Sequence, residues 1–194
     1  DRTSYTFVEK DPTEITYNLE KIIPLKEGYD DSGRYFFYRD CVIGENEFFI
    51  IYSCDNENYR IERFDFAGNL LDTSYQTQEK DLPVAFSPNE CLWYDESYVL
   101  KVSDSEQTLT PLMGMQESYL SEAATYYMGF LGSAGTDGML FYSWKSHFPT
   151  DIRLFKKAKP QDMTYTCTLG IISSSAWQEF YLVADYNLHH PDNR

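Results

Sequence analysis

The segment YYMGFLGSAGTDGMLFYSW, residues 126–144, contains a single charged residue, Asp137. A membrane-spanning helix needs about 20 continuous apolar residues, but glycines interrupt this run at four places. Each glycine inside a helix costs about 1 kcal/mol relative to alanine. The dipeptide Asp137-Gly138 is typical of a turn between two strands. We therefore interpret the segment as a strand over 126–131, a glycine-rich turn and a second strand over 139–144.

The same glycines do not match a catalytic or phosphate-binding loop. Their spacing fits neither G-x-x-x-x-G-K-[ST] nor G-x-G-x-x-G, and it differs from the nucleophile-elbow pattern G-x-S-x-G. No helical pattern follows that would present its N-terminus to a phosphate. The segment therefore predicts a turn in a sheet and not a catalytic site.

The composition of the whole chain favours β-structure. Aromatic residues make up 17% of the 194 residues, with 17 Tyr and 13 Phe, and hydrophobic residues make up 42%. Aromatic and β-branched side chains suit the pleated, half-buried surface of a sheet, and a disordered chain contains fewer of them. A chain of this length suits one domain. We predict a single all-β domain over residues 1–194.

A similar pattern recurs along the chain. Each unit has a buried strand, a polar turn and a strand in which apolar and polar residues alternate. The units start near residues 48, 91, 139 and 179, so that the repeat is about 40–48 residues long. Several strands in each step of this length are typical of propeller blades. The predicted fold class is therefore all-β, with short antiparallel strands in propeller-like repeats.

A continuous meander is the alternative to repeats. It would close into a calycin-type β-barrel or form a β-sandwich, and small barrels hold one apolar ligand. Alternating segments separated by turn residues support this alternative between residues 34 and 76. Its strands are predicted over 34–43, 46–54, 59–66 and 69–76.

Two other segments have weaker patterns. ITYNLEKIIPL, residues 15–25, ends close to a proline, and we prefer a strand there. SYLSEAATYYM, residues 118–128, has a serine N-cap candidate and a pair of alanines, which indicate a short helix.

The charge limits the classes of partner. The chain has 31 acidic and 16 basic residues, and its net charge is −15. Such a surface repels nucleic acid and anionic membranes, so we expect no nucleic-acid partner. The glycine-interrupted run above leaves no transmembrane segment. Solubility alone explains the charge, and the alternatives are a basic protein partner or a cation-binding role. The sequence leaves the compartment unknown, although a start at Asp1 instead of methionine slightly favours a processed or secreted chain.

The four cysteines do not suggest a metal or redox centre. Cys41, Cys54, Cys91 and Cys167 contain no C-x-x-C pair, which zinc and thioredoxin-type sites usually need. We expect small buried thiols. A disulfide between Cys41 and Cys54, which flank a predicted hairpin, is the alternative.

Histidines and acidic turns offer no recognisable chemistry. His147 lies in a polar turn, and the adjacent His189 and His190 point in opposite directions on an extended chain. The acidic turn YDDSG, residues 29–33, is one of several, but none has the spacing of a calcium-binding loop. We assign no catalytic residue, no metal ligand and no cofactor.

The candidate ligand-binding residues are aromatic. Tyr52, Trp93, Trp144 and Trp177 lie in or beside the leading strands of the four repeats. Core packing is the competing role of such residues. We predict a non-catalytic protein-interaction or scaffold module, such as a subunit of a larger assembly. A β-barrel binder of a small apolar ligand is the alternative, and a glycan-acting or other hydrolase is the third.

Overall fold

A computed structural model describes most of the chain up to residue 159. The described residues are all strands, turns and two short 3-10 segments, and no α-helix occurs among them, so the all-β prediction is confirmed. The described ranges are 4–55, 58–86, 91–95, 97–115, 118, 128–145 and 148–159, without the side chains of Cys91 and Lys145. The strands are β1 (Thr6–Phe7), β2 (Tyr17–Pro24), β3 (Gly28–Tyr29), β4 (Tyr35–Ile43), β5 (Glu47–Cys54), β6 (Asn58–Asp65), β7 (Leu70–Gln76), β8 (Cys91–Tyr94), β9 (Tyr98–Ser103), β10 (Thr108–Gly114), β11 (Met128–Ser133), β12 (Gly138–Lys145) and β13 (Phe148–Lys157).

The strands form three sheets. Sheet I has the order β1-β10-β9-β8, sheet II the order β11-β12-β13-β2 and sheet III the order β3-β4-β5-β6-β7. Neighbouring strands in sheet III are also neighbours along the chain, and its paired strands are antiparallel. The short β1 instead lies parallel to β10, which differs from the antiparallel pairing predicted from sequence. The reason is that β1 reaches sheet I from a distant part of the chain and not through a hairpin.

Contacts between Cα atoms divide the described residues into two compact units. One unit lies within Asp1–Leu19, Asn89–Gly129 and Lys156–Arg194, and it contains the whole of sheet I. The other lies within Glu20–Pro88 and Phe130–Phe155, and it contains sheet III. The single domain over 1–194 stays a prediction.

Period-two alternation gives sheet III one apolar face. In β5, Phe48, Ile50 and Tyr52 are fully buried on this face. Their partners across β6 are Phe64, Glu62 and Arg60, so that the same face carries two charged residues. Side chains from sheet II, including those of Leu140, Ile152 and Leu154, pack against it. The core therefore lies between sheets III and II.

The glycine-rich segment is a hairpin, as predicted. β11 and β12 are joined by a turn in which Ala134 donates its backbone N–H to the carbonyl of Gly138 at 2.8 Å. Gly135 has a φ of +71°, a conformation that favours glycine. The strand predicted over 15–25 is also present, as β2.

Cys41 and Cys54 are free, buried thiols. The alternative of a disulfide between them is wrong, because the register of β4 and β5 pairs Cys41 with Ile50 and Cys54 with Phe36. Burial raises the pKa of the Cys41 thiol to about 12, so that this thiol stays protonated near neutral pH.

Several sequence predictions fall outside the described residues. They concern most of the helix over 118–128, the strand start near 179, Trp177, Cys167, the side chain of Cys91 and the three histidines. For the described part of the chain, no helix has the length and apolar character that a membrane crossing requires.

Candidate functional site

The turn between β3 and β4 is built around Asp30. The backbone N–H of Gly33 donates to the Asp30 carbonyl at 2.9 Å, and Gly33 has a φ of +78°. Asp30 Oδ1 accepts hydrogen bonds from the backbone N–H groups of Ser32 at 2.9 Å and Arg34 at 3.0 Å. An aspartate that binds the backbone of its own turn in this way is a common turn former. The turn holds Asp30 and Arg34 in fixed positions.

The same carboxylate connects the beginning of sheet III to its last strand. Asp30 Oδ2 accepts from Arg34 Nε at 2.9 Å and from the Tyr75 hydroxyl at 3.1 Å. The Arg34 guanidinium lies 4.1 Å from the centre of the Tyr75 ring, within the range of a cation–π contact. Because β3 and β7 are opposite edges of the sheet, these contacts show that the sheet is curled into a half-barrel.

The hydrogen bonds hold the pKa of Asp30 well below its usual range. The backbone N–H of Arg34 contributes most, and the Ser32 and Arg34 side chains add to it. A carboxyl whose pKa is lower in the folded than in the unfolded state stabilises the fold above its unfolded pKa of about 3.9. This contribution is lost as the pH falls toward the folded pKa.

We expect Asp30→Asn to flatten the acid dependence of stability. The wild type should lose free energy of unfolding as the pH falls below about 4, and the variant should lose less over the same range. Urea unfolding at several pH values measures this slope. Asp31→Asn is the matched control, because it removes the same charge one residue further along. Equal slopes for wild type and Asp30→Asn would contradict the prediction.

Glu62 is a carboxylate inside the core, with only 1% of its surface exposed. Its Oε1 accepts from Arg60 Nη2 at 2.6 Å and from Lys26 Nζ at 2.8 Å. Its Oε2 lies 3.4 Å from the Tyr52 hydroxyl. Burial raises the pKa of Tyr52, and the Glu62 charge raises it further. Two cations therefore neutralise one buried anion.

Arg60 connects this buried cluster to the surface. Its guanidinium lies 4.7 Å from the centre of the Phe36 ring, and its side chain is 17% exposed. Among the buried side-chain nitrogen and oxygen atoms of the described residues, Arg60 Nε is the one without a hydrogen-bond partner. An unsatisfied buried donor is uncommon, because it costs about 1–3 kcal/mol.

An open cleft of about 670 Å³ lies at this end of the half-barrel. The cleft is lined by the aromatic rings of Tyr29, Phe36 and Tyr75 and by the guanidinium groups of Arg34 and Arg60. The carboxylates of Asp30 and Asp31 and the hydroxyls of Ser32 and Thr73 complete it. Ring faces, hydrogen-bond donors and hydrogen-bond acceptors therefore meet in one place.

An aromatic stripe begins at the edge of this cleft. We use this name for Tyr29, Tyr35 and Phe37, which lie on the opposite face of sheet III from the core. The ring centres of Tyr29 and Tyr35 are 5.2 Å apart, and those of Tyr35 and Phe37 are 6.4 Å apart. Tyr29 is 74% exposed and Phe37 is 48% exposed. The hydroxyl of Tyr35 donates to Glu27.

The described aromatic residues predicted from sequence do not line the cleft. Tyr52 is fully buried in the core, Trp93 is 54% exposed on β8, and Trp144 is half-buried with its ring centre 4.8 Å from that of Tyr142. Trp177 lies outside the described residues. A ligand-binding role for these four residues stays a prediction.

The cleft residues were not selected by the sequence analysis, although two signals were visible. Asp30 belongs to the acidic turn YDDSG, whose spacing does not fit a calcium loop but whose aspartate can bind the backbone of its own turn. Arg60 and Glu62 fall on the inward positions of an alternating strand, where apolar residues are expected. Charges at inward positions of a strand are the signal that could have identified this end of the sheet.

The described residues contain no group of three or more histidine, cysteine, aspartate or glutamate side chains placed to hold a metal ion. Comparison with known proteins does not add a family. No protein-family model matches the chain, and neither a curated protein nor a solved structure matches it.

Proposed function

We propose that this protein is a non-catalytic interaction module that binds a protein partner through the aromatic stripe. The observation that carries the proposal is the placement of Tyr29, Tyr35 and Phe37 side by side on an exposed sheet face. Tyrosine and phenylalanine are enriched at protein interfaces, because they combine a large apolar area with few rotatable bonds. Exposed aromatic clusters commonly mark interaction sites.

The charge supports a basic partner. The chain carries a net charge of −15, and acidic groups border the stripe. Glu27 accepts from the Tyr35 hydroxyl, and Asp55 accepts from the Tyr35 backbone N–H at 3.2 Å. Complementary charge around an apolar centre accelerates association and excludes other partners. We therefore propose that the partner presents an apolar patch surrounded by lysine or arginine.

A binder of a small apolar ligand is the second candidate. The inner face of the half-barrel, where such a ligand would lie, is filled by core side chains such as Phe48, Leu140 and Leu154. This favours the interaction module. A hydrolase, which would need a pair of catalytic carboxylates, is the third candidate.

A propeller-like arrangement remains part of the proposal. It is supported by three up-and-down groups of strands that follow one another along the chain, at residues 28–76, 91–114 and 128–157. A propeller also requires these sheets to surround a common axis. A crystal structure of the whole chain would measure that arrangement.

Native mass spectrometry of the protein from its source tests the proposed function. We expect a complex of fixed stoichiometry, and we expect Phe37→Ser to reduce its abundance at least about tenfold, because interface aromatics often contribute more than 1.4 kcal/mol. Phe7→Ser is the matched control, since Phe7 is 46% exposed on β1. A monomer that carries a small apolar adduct, or a complex insensitive to Phe37→Ser, would refute the proposal.

A further inference from the structure

We infer that the cleft at the end of the half-barrel binds a neutral saccharide. This inference does not rest on the proposed function. The cleft and the aromatic stripe share Tyr29, but the other residues that form the cleft lie beside the concave side of the sheet and not on the stripe. The two sites can therefore be separated by substitution.

The cleft offers both kinds of hydrogen-bonding group. Arg34 and Arg60 are donors only, and the ionised Asp30 and Asp31 are acceptors only. Each arginine is already neutralised by a carboxylate: Arg34 Nη2 lies 2.8 Å from Asp30 Oδ2, and Arg60 Nη2 lies 2.6 Å from Glu62 Oε1. Lys26 also binds Glu62, and Asp31 adds a further negative charge, so that three cations and three anions balance locally.

This balance restricts the charge of the ligand. An anion would approach Asp30 and Asp31 as well as the arginines, within the field of a chain of net charge −15. A cation would approach Arg34 and Arg60 in the same way. A wholly apolar ligand would remove water from these charged groups without replacing their hydrogen bonds, which is costly. A neutral ligand with many hydroxyls satisfies donors and acceptors together, because each hydroxyl can donate and accept.

Among the rings of the cleft, that of Tyr29 is the most exposed, and it favours a ligand with an apolar face. The faces of Phe36 and Tyr75 contact the guanidiniums of Arg60 and Arg34, at 4.7 and 4.1 Å from the ring centres. Tyr29 has an edge contact with Tyr35 and is 74% exposed. The negative face of an aromatic ring attracts weakly positive C–H groups. A pyranose ring has such C–H groups on one face and hydroxyls around its edge, so that it can stack on Tyr29.

The guanidiniums are held in place before a ligand binds. Arg34 is fixed between the Asp30 carboxylate and the Tyr75 ring, and Arg60 between Glu62 and the Phe36 ring. Groups that are fixed in advance lose little entropy on binding. Arg60 is 17% exposed and lines the cleft, so that part of its side chain is accessible to a ligand. The cleft is open and has a volume of about 670 Å³.

Isothermal titration of the whole chain with neutral hexasaccharides tests the inference. The probes are cellohexaose, mannohexaose, maltohexaose and hexa-N-acetylchitohexaose, with hexagalacturonate as the anionic comparison. We expect at least one neutral probe to bind with a Kd below about 1 mM, and more tightly than hexagalacturonate. Absence of binding by every neutral probe at this concentration, or tighter binding of the anionic probe, would overturn the inference.

Substitutions test whether the saccharide binds in the cleft. Tyr29→Ala and Thr73→Ala should each raise the Kd, the former at least about tenfold, because a central aromatic side chain is often a dominant contact in a binding site. Tyr29→Phe retains the ring and should restore most of the affinity. Phe37→Ala is the matched control, since it changes the stripe outside the cleft and should leave the Kd unchanged. Binding that is lost with Phe37→Ala but insensitive to Tyr29→Ala and Thr73→Ala would refute the assignment.

A glycoprotein distinguishes the source of the saccharide. A high-mannose glycoprotein is titrated before and after enzymatic removal of its glycan. If the protein binds the glycoprotein only before the glycan is removed, the natural ligand is a glycan carried by a partner. If it binds only the free hexasaccharides, the natural ligand is a polysaccharide. Both outcomes support a saccharide site in the cleft. Binding that persists after removal, with the Thr73→Ala variant unaffected, contradicts it. The protein complex that depends on Phe37 is tested separately, and its presence or absence does not change these outcomes.

Discussion

Replacing Glu62 by glutamine is expected to lower the free energy of unfolding by about 3 kcal/mol. Removal of one partner from a buried ion pair costs about 3–5 kcal/mol, because it leaves an uncompensated charge inside the protein. We expect the lower end of this range, since Arg60 is 17% exposed. The substitution hardly changes the volume of the side chain, so that most of the effect arises from charge.

Urea unfolding followed by circular dichroism measures this change. Glu47→Gln is the matched control, because Glu47 pairs with Arg63 at 3.6 Å and both side chains are partly exposed. Exposed pairs contribute about 0–1 kcal/mol. If Glu62→Gln costs no more than Glu47→Gln, the buried cluster does not contribute to stability as we describe. A double replacement of Arg60 and Glu62 by methionine should restore part of the loss, because neither charge then remains buried.

The second large effect is expected at Tyr52. Tyr52→Ala should lower the free energy of unfolding by about 3–5 kcal/mol, as truncation of a buried aromatic side chain usually does. Tyr52→Phe should cost about 1 kcal/mol or less, because the hydroxyl lies 3.4 Å from Glu62 and its hydrogen bond is long.

Trp93→Ala is the comparison for Tyr52, because Trp93 is 54% exposed on β8. Surface substitutions usually change stability by no more than about 0.5 kcal/mol, so we expect a small effect. The same urea titration measures all three variants. Equal costs for Tyr52→Ala and Trp93→Ala would mean that Tyr52 is not the core residue that the structure shows.

The strands of sheet III could be predicted from sequence because their signals are local. Alternating apolar residues and turn residues define β5 and β6, and the structure places both within a residue or two of the predicted bounds. β11 and β12 follow from the glycine-rich turn in the same way. The pairing of β2 with β13 and of β1 with β10 could not be predicted, because these partners are far apart in the chain.

The candidate site was less predictable than the strands. The predicted site consists of large aromatic residues in buried strands; Tyr52 is indeed a strand residue, but it lies in the core. The cleft depends on the curl of sheet III, which brings Asp30 and Tyr75 together from opposite edges. Curl results from the twist and packing of all five strands. The residue pattern of a single strand therefore does not predict the curl of the sheet.

The pairing of β2 with β13 at the edge of sheet II has a consequence for synthesis on the ribosome. The Leu25 backbone N–H bonds to the Thr150 carbonyl, and that of Ala158 bonds to the Thr16 carbonyl, so that β2 lies antiparallel to β13. Sheet III can form from successive hairpins as it emerges, since local contacts form fastest. β2 must wait for β13, which takes roughly 6–25 s at ordinary rates of elongation. During that interval Ile23 has no sheet to join, and its apolar side chain stays outside the core that it occupies in the folded chain.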